Sequence, residues 1–354
     1  MQTKVSEGHA SPRQSEGFAA VARSVPENER MRAMRLGKSG FSVSRLVLGT
    51  MTFGDGADET VSRQLFARAR EAGIDHFDCA DLYANGQSEE ILGRLIKDVR
   101  NHISIASKAY FPRSSWANAR GASRYHLRHA CEQSLRRLQT DRIEVYYIHR
   151  FDDDCPLEES LRALEDLQRD GLILYAGVSN FAAWQVVRAL GLQQLHGWAP
   201  LLCIQPMYNL LKRQAEVELL PMAKEMGLGV IPYSPTAAGM LSGRYGVGTM
   251  PSDGRIVRNE RYRLRYGEVG YLEQAQRFVE LATEMGVHPA ALAIAWVLRH
   301  PAVSAPILGV RTLEHLETAL GALEIKLDDA SYARLCALTP TPPPATDRNE
   351  ERAG

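Results

Sequence analysis

Short hydrophobic runs recur along the chain at intervals that are mostly close to thirty residues. Eight such runs are rich in Val, Ile, Leu, Ala and aromatic residues, and they begin at residues 45, 75, 103, 143, 173, 201, 229 and 305. Runs of this kind predict β-strands, and an interval of about thirty residues is the length of one strand followed by one helix. The pattern therefore predicts a strand-plus-helix unit that is repeated along the chain.

Between the runs, apolar residues recur with the spacing of amphipathic helices. Helices are predicted over residues 60–72, 124–138, 157–169 and 216–226, and the second follows Ser123, a residue type that suits the N-cap position. The interval from 229 to 305 is too long for one unit. It is predicted to hold an irregular loop over 236–270, followed by helices over 271–285 and 289–300.

These elements together predict an α/β protein. Alternating strands and helices predict a parallel sheet, and eight repeats predict a closed (β/α)8 TIM barrel rather than an open doubly wound sheet. Residues 34–43 predict an N-terminal β-hairpin that caps the barrel floor, and extended loops after the strands would build the active site. A single domain is expected over 31–338, between a disordered tail at 1–30 and a mobile, proline-rich tail at 339–354.

Composition limits the classes of partner. The 42 Lys and Arg residues balance the 42 Asp and Glu residues, so no net field attracts nucleic acid or an anionic membrane. The five cysteines are odd in number and form no Cys-x-x-Cys pair, which argues against a disulfide framework and fits a reducing compartment. No apolar run approaches the ~18 residues of a membrane span, and no stretch resembles a signal peptide. We expect a cytoplasmic protein with no nucleic-acid or membrane partner.

Common nucleotide and metal motifs are missing from the sequence. No Gly-x-Gly-x-x-Gly follows a predicted strand, and no Gly-x-x-x-x-Gly-Lys-Ser/Thr occurs. His126, His129 and Cys131 could face one side of a helix, but a packed or solvated helix surface is the favoured interpretation. We therefore expect no metal site.

Four ionisable residues lie at or just beyond the ends of three consecutive predicted strands. They are Asp78, Tyr83, Lys108 and His149. Each alone has an ordinary explanation, as a loop cap, a packed aromatic, a rim charge or a core histidine. Because the carboxyl ends of barrel strands share one rim, we expect all four side chains to meet in one cleft.

Such a group could donate a proton to a substrate. A free tyrosine has a pKa near ~10, and an ammonium within ~4–6 Å would lower it by ~1–3 units. Asp78 would keep Lys108 protonated, and His149 could polarise a carbonyl by donating a hydrogen bond. This arrangement suits protonation of the oxyanion that forms when a carbonyl accepts hydride.

Six short motifs occur in order within residues 34–325. They are Phe77-Asp-Cys-Ala-Asp-Leu-Tyr83, Ala106-Ser-Lys108, Ile148-His-Arg-Phe-Asp152, Gly177-Val-Ser-Asn-Phe181, Gln205-Pro-Met-Tyr-Asn209 and Pro232-Tyr-Ser-Pro235. Together they closely resemble the aldo-keto reductase superfamily, whose members are (β/α)8 barrels that reduce aldehydes and ketones with NADPH. The resemblance implies NADP(H) as cofactor, Tyr83 as general acid/base, Asp78 and Lys108 as the groups that tune it, and His149 as the group that orients the carbonyl.

The resemblance also implies a set of cofactor-binding residues that is spread over the barrel mouth. It comprises Gly49, Thr50 and Met51 in the nicotinamide pocket, Ser179, Asn180 and Gln205 at the carboxamide, Tyr233 stacked on the ring, Ser234, Pro235, Leu241 and Arg244 along the pyrophosphate, and Gly309, Arg311 and His315 towards the adenosine 2′-phosphate.

The sequence leaves the substrate and the oligomeric state open. Candidate substrate-binding residues are Phe53, Tyr110, Trp116 and Tyr208, although packing within loops explains these aromatics equally well. Ketone sugars, small aldehydes and aromatic ketones all remain candidate small-molecule carbonyl substrates. Because the superfamily includes potassium-channel β subunits, an NADPH-binding regulatory subunit is the alternative function. A metal-dependent barrel hydrolase would need His-x-His or clustered carboxylates at strand ends, and the sequence has neither.

Overall fold

The computed structural model describes residues 31–350 apart from 249, 253, 268, 269 and 349, and the tail expected at 1–30 lies outside the described residues. The chain enters through an antiparallel hairpin, β1 (Met34–Arg35) and β2 (Ser42–Val43). Eight parallel strands follow in the order of the chain: β3 (Val47–Gly49), β4 (His76–Asp78), β5 (Ser104–Ala109), β6 (Ile143–Ile148), β7 (Ile173–Ser179), β8 (Cys203–Gln205), β9 (Gly229–Val230) and β10 (Ile307–Leu308). All eight lie on the predicted runs.

The sheet closes on itself, as the sequence predicts. β10 pairs with β3, so that Ile307 lies opposite Val47. On its other side, the Ile307 amide donates a 2.9 Å hydrogen bond to the carbonyl of Pro232, just beyond β9. The (β/α)8 TIM-barrel prediction is confirmed.

The N-terminal hairpin covers the barrel floor. Its residues Leu36 and Val43 are fully buried, and they pack in one apolar cluster with strand residues that include Val145 and Cys203. The amide of Lys38 donates to the carbonyl of Gly227 at 2.8 Å, immediately before β9 begins. The predicted hairpin cap is confirmed.

Helices cover the outside of the barrel. Those between β3 and β9 are α1 (Glu59–Glu71), α2 (Gln87–Leu95), α3 (Arg124–Leu138), α4 (Leu157–Arg169), α5 (Ala183–His196) and α6 (Leu219–Met226). The predicted N-cap is confirmed, since the Ser123 hydroxyl accepts a 3.2 Å hydrogen bond from the amide of His126. α3 and α4 match the predicted ranges, whereas α2 and α5 were not singled out by the sequence pattern.

The segment after β9 is more ordered than the predicted loop over 236–270. It contains a 3-10 turn at Ala237–Ser242 and two short helices, α7 (Arg255–Arg258) and α8 (Glu260–Tyr266). Ile256 and Tyr266 anchor these helices in the core, but two apolar anchors are too few to give a helical period. Four further helices follow as α9 (Tyr271–Glu284), α10 (Pro289–Arg299), α11 (Leu313–Leu320) and α12 (Asp329–Cys336).

Two observations bear on localisation and on metal binding. Within the described part of the chain, no single helix has the length and apolar composition of a membrane span, although α9 and α10 meet those criteria as a pair bent by 97°. The same residues contain no group of three His, Cys, Asp or Glu side chains placed to hold a metal ion. Residues 339–348 form turns without a helix or strand, and the mobility expected there stays a prediction.

Candidate active site

Adjacent strands carry the four ionisable residues to one rim of the barrel. Asp78 ends β4, Lys108 is the penultimate residue of β5, and His149 directly follows β6. Tyr83 begins a single 3-10 turn (Tyr83–Gly86) after β4. Since these strands are parallel neighbours, their carboxyl ends place the four side chains around one mouth.

Lys108 is the hub of the group. Its Nζ lies 2.5 Å from Asp78 Oδ1, 2.6 Å from the carbonyl oxygen of Cys79 and 3.4 Å from the hydroxyl of Tyr83. Lys108 is fully buried and Asp78 is nearly so. The three N–H groups of the ammonium therefore donate to a carboxylate, a backbone carbonyl and the tyrosine hydroxyl.

The buried ion pair keeps Lys108 charged. Burial disfavours the ammonium, but the charges of Asp78 and Tyr83 and the hydrogen bond to Asp78 outweigh burial, and they raise the pKa of Lys108 above its usual value. The second oxygen of Asp78 accepts a 2.7 Å hydrogen bond from Gln205 Nε2. The carboxylate is thus held on both sides.

Tyr83 differs from the expectation in one respect. Burial raises its pKa to about 12, and the nearby Lys108 charge opposes this shift without cancelling it. The predicted effect of the ammonium is present, but the removal of the phenol from water is the larger effect here. Tyr83 is therefore fully protonated at neutral pH, the state in which it can donate a proton.

His149 is an uncharged imidazole at neutral pH. Burial, together with the Lys108 charge, lowers its pKa well below the usual value. Its ring stands edge-on to Tyr83, with centroids 6.3 Å apart, and edge-on to Phe111 at 5.1 Å. A neutral imidazole carries one N–H donor, which suits a contact with a carbonyl oxygen beside the phenol.

The turn that presents Tyr83 has an uncommon backbone. Ala84, Asn85 and Gly86 are three consecutive residues with positive φ, at 45°, 56° and 96°. Non-glycine residues in this region are uncommon and strained. The surrounding packing must hold the turn, because Gly86 lies against the side chains of Arg113 and Arg137.

A hydrogen-bonded chain joins the next strand ends. Tyr233 donates to Asn180 Oδ1 at 2.7 Å, Asn180 Nδ2 donates to the carbonyl of His149 at 2.9 Å, and the Ser179 hydroxyl donates to the carbonyl of Gln205 at 2.8 Å. The structure therefore brings these four of the implied cofactor residues together beside His149. Gln205 differs from its implied role at the carboxamide, because its amide nitrogen already donates to Asp78.

The first βα loop borders the same mouth. A side chain at Gly49 would collide with Ile307 Cγ2 at 2.7 Å, so only glycine fits where β3 meets β10. Thr50 is fully buried, and its hydroxyl accepts from Ser88 at 2.9 Å. Met51 is half-buried. Thr50 therefore offers no surface to a cofactor in this structure, and its implied cofactor contact stays a prediction.

Basic side chains gather at the far end of the groove. Burial and the charges of Arg311 and Arg244 lower the pKa of His315, so these three residues lie within electrostatic reach of one another. Arg311 also contacts Gly56 of the first loop. Gly309 is exposed.

The segment between β9 and α7 contains three implied cofactor residues besides Tyr233 and Arg244. Ser234 is half-buried with φ of 60°, and Pro235 and Leu241 are buried. The carbonyl of Ser234 accepts a 3.0 Å hydrogen bond from Asn209. Leu241 has no exposed surface, so its implied cofactor contact stays a prediction.

The four candidate substrate residues differ in accessibility. Tyr110 is half-buried and Trp116 is 52% exposed. Phe53 and Tyr208 have no exposed surface, and Tyr208 instead packs on Trp296 and donates to Glu216 at 2.7 Å. Phe53 and Tyr208 therefore offer no surface to a ligand in this structure, and the assignment of the four residues as substrate contacts stays a prediction.

Three aromatic residues that the sequence analysis missed line the rim near His149. Phe111 contacts the His149 ring, and Phe151 packs edge-on against Trp184, whose side chain is 60% exposed. Phe111 and Phe151 lie two and three residues beyond the ends of β5 and β6, which was the available signal, and Trp184 is the second residue of α5.

Comparison with known proteins agrees with this geometry. The model of the aldo/keto reductase family matches residues 45–339. An uncharacterized oxidoreductase of Bacillus subtilis, YrpG, is 38% identical over 321 residues, covering 87% of this chain and 95% of its own length. A probable voltage-gated potassium channel subunit beta of Arabidopsis thaliana is 34% identical, and a putative aryl-alcohol dehydrogenase of Schizosaccharomyces pombe is 33% identical; each alignment covers 83% of this chain and 92% of the relative. The chain belongs to the aldo/keto reductase family of oxidoreductases.

Proposed function

We propose that the protein reduces an aldehyde or ketone to an alcohol with NADPH. The observation that carries the proposal is the contact of a buried, charged Lys108 with both Asp78 and the hydroxyl of Tyr83 at the barrel mouth. NADPH supplies the hydride when it is bound. The protein must then orient the carbonyl, exclude water and deliver one proton to the developing alkoxide.

Tyr83 is the proposed proton donor. Its raised pKa keeps the phenol protonated before reaction. As the proton leaves, negative charge develops on the phenolate 3.4 Å from the Lys108 ammonium, which stabilises it. Asp78 keeps that ammonium charged and fixed in direction, so the field does not need to reorganise during the step.

His149 is the proposed carbonyl-orienting group. Because it is neutral, it can donate an N–H to the carbonyl oxygen without competing with Tyr83 as an acid. Its backbone carbonyl is tied to Asn180, and its amide donates to Ala109 at 3.0 Å. These contacts hold the imidazole beside the phenol, where one oxygen could accept from both.

The residues present fit a phosphorylated dinucleotide. Ser179, Asn180, Gln205 and Tyr233 supply amide and hydroxyl groups suited to a carboxamide, and the ring of Tyr233 can stack on an aromatic face. Arg244, Arg311 and His315 gather where phosphate would lie, and the amides that open α11 add partial positive charge. We propose that this second group holds the 2′-phosphate.

Replacement of Arg311 should weaken the binding of NADPH much more than the binding of NADH. We expect Arg311→Ala to weaken NADPH binding by about 10–100-fold, the usual contribution of a charged hydrogen bond, and to leave NADH binding nearly unchanged. Titration of each cofactor by fluorescence would measure both dissociation constants. Arg150→Ala, at an exposed position after β6, is the control. Equal losses for NADPH and NADH would contradict the 2′-phosphate assignment.

A carbonyl panel tests the function directly. NADPH oxidation would be followed by absorbance with sugar ketones, small aldehydes, and aromatic aldehydes and ketones. At least one substrate should give turnover that saturates with concentration and depends on Tyr83. Tight NADPH binding without turnover on any member of the panel would contradict the reductase assignment.

A regulatory role is the second candidate, because a relative is named as a probable potassium channel β subunit. Such a protein would bind NADPH through the same groove and act on a partner. Co-purification of a membrane protein, combined with absent turnover, would favour it. The complete Asp78, Tyr83, Lys108 and His149 group supports the reductase instead, since pure cofactor binding does not require a proton donor.

A further inference from the structure

A buried carboxylate without a partner lies just behind the catalytic turn. Asp81 precedes Tyr83 by two residues, is 1% exposed, and donates its amide hydrogen to the carbonyl of Lys108 at 3.1 Å. Neither carboxylate oxygen has a hydrogen-bond partner among the described residues. A buried polar group in this state is costly, so its presence beside the site calls for a physical reason.

A second buried carboxylate, whose charge acts on Asp81, is already satisfied. Glu89, at the start of α2, is fully buried, accepts from the Ser107 hydroxyl at 2.5 Å, and pairs with Arg137 Nε at 2.7 Å. Arg137 is therefore committed to Glu89. Asp81 must find its cation elsewhere.

Arg113 is a second cation whose charge acts on Asp81. It lies on the segment that joins β5 to α3, residues 110–121, called here the 110–121 loop. Its Nη2 packs against Gly86 of the Tyr83 turn. The charge of Arg113 lowers the pKa of Asp81 more than the charge of Arg137 does. Within the described part of the chain, however, the Arg113 guanidinium forms no hydrogen bond or ion pair. An unpaired cation thus lies near an unpaired anion without touching it.

The 110–121 loop is a compact unit whose two ends are adjacent. The amide of Gly121 donates to the carbonyl of Tyr110 at 2.7 Å, so the two ends of the loop are joined. The amide of Arg113 donates to Ala119 inside it. Trp116, at the tip, contacts Tyr125 of α3 edge-on with centroids 5.3 Å apart. A compact loop with adjacent ends can turn about them while its inner contacts stay intact.

We propose that the 110–121 loop closes over the carbonyl site and that an ion pair between Arg113 and Asp81 latches it. Asp81 is then a positioning residue, because it links the loop to the Tyr83 turn and to the strand of Lys108. The proposal rests on the reductase function for its effect on substrate, but the latch itself can be measured without turnover.

The latch should respond to pH near neutrality. Burial, reinforced by the Glu89 charge, raises the pKa of Asp81 to about 7. The charged form is the one that pairs, so closure strengthens as pH rises through that value and fails below it.

The other groups that face Asp81 keep one charge state over this range. Arg137 and Glu89 form an ion pair with each other, with 2.7 Å between Arg137 Nε and Glu89 Oε2. On α3, burial lowers the pKa of His126 to about 4 and raises that of Cys131 to about 12, and burial raises the pKa of Tyr146 on β6 well above its usual value. Asp81 is therefore the group whose charge should control the loop.

The first experiment measures the loop directly. Amide hydrogen exchange of a peptide covering 110–121 would be followed at pH 8 in the intact protein with NADPH, for the wild type, Asp81→Asn and Arg113→Ala. Arg120→Ala is the control, since it removes an exposed arginine of the same loop. We expect both latch variants to exchange faster than wild type by about fivefold or more, and the control to match wild type. Equal exchange in all four proteins would overturn the latch, whether or not any carbonyl is reduced.

The second experiment measures its effect on substrate. With the best substrate of the panel, Asp81→Asn should raise KM about tenfold at pH 8 while kcat changes by less than about threefold, and the double variant with Arg113→Ala should add little. The wild-type KM should fall from pH 6 to pH 8, and that of Asp81→Asn should stay flat. In the protein without NADPH, where the Asp81 carboxylate is unpaired, Asp81→Asn should unfold at no lower temperature than the wild type. A lower unfolding temperature with an unchanged pH profile would show a purely structural residue. A KM increase for Arg113→Ala alone, limited to anionic substrates, would show a substrate-binding arginine and overturn the latch.

Discussion

Replacement of Tyr83 by phenylalanine should lower kcat by at least ~10²-fold, within the range that general acid catalysis contributes. The change removes one oxygen, which touches Lys108 at 3.4 Å, and leaves the hydrogen bonds of Asp78 with Lys108 and Gln205 intact. NADPH should therefore bind as tightly as in the wild type. Steady-state kinetics on the best carbonyl substrate and cofactor titration would measure the two effects separately.

Tyr175→Phe is the matched control for this change. Tyr175 is a half-buried tyrosine of β7 that packs on Phe41 of the N-terminal hairpin, away from the rim, and its hydroxyl forms no hydrogen bond with the described residues. We expect its kcat to stay within a few-fold of wild type. Turnover by Tyr83→Phe at the wild-type rate would refute Tyr83 as the proton donor.

Replacement of Lys108 by methionine should weaken the fold as well as the chemistry. The side chain is fully buried and contacts a carboxylate that is 3% exposed. Removing one partner of a buried ion pair costs about 3–5 kcal/mol, because the other charge remains buried without compensation. Chemical denaturation should show a loss of that size in the free energy of unfolding.

A double variant separates the charge effect from packing. Adding Asp78→Asn to Lys108→Met removes the stranded carboxylate, so the double variant should be more stable than Lys108→Met alone. Arg94→Met, which breaks the exposed pair of Arg94 with Glu59, should lose much less. If the double variant is less stable than the single one, the buried charge is not the source of the loss.

The sequence was sufficient for the barrel because its strands are buried on both sides. β6 is buried at every position and is apolar apart from Glu144, which is close to the continuous apolar run that such strands require. α2 was missed for the opposite reason. Its inward face carries Ser88 and Glu89, which are satisfied by hydrogen bonds rather than by apolar contacts, so its hydrophobic period is broken.

The hydrophobic pattern did not predict α5, because apolar residues lie on the outer face of this helix. Trp184 and Leu195 are exposed at 60% and 75%, whereas the buried face includes Gln193. The amide of Gln193 is tied to the backbone of Ala199 and Leu201, which explains why a polar residue is accepted there.

The site was predictable where strand ends determine position. Asp78, Lys108 and His149 follow directly from the strand register, since neighbouring parallel strands finish on one rim. The ionisation of Tyr83 was not predictable, because it depends on how far the phenol is removed from water, and spacing along the chain does not report burial. The burial of Asp81 was not predictable for the same reason. In the sequence it resembles an ordinary loop aspartate, and only the structure shows its two unpaired oxygens.

The pairing of β3 with β10 has a consequence for synthesis of the protein. Val47 lies opposite Ile307, a residue made about 260 positions later. At ~5–20 residues per second, the ribosome needs roughly 13–52 s to cover that distance. During this time the edge of β3 that later pairs with β10 is open, and it can pair wrongly with other chains. Nascent chains should therefore need a chaperone most between the emergence of β3 and that of β10.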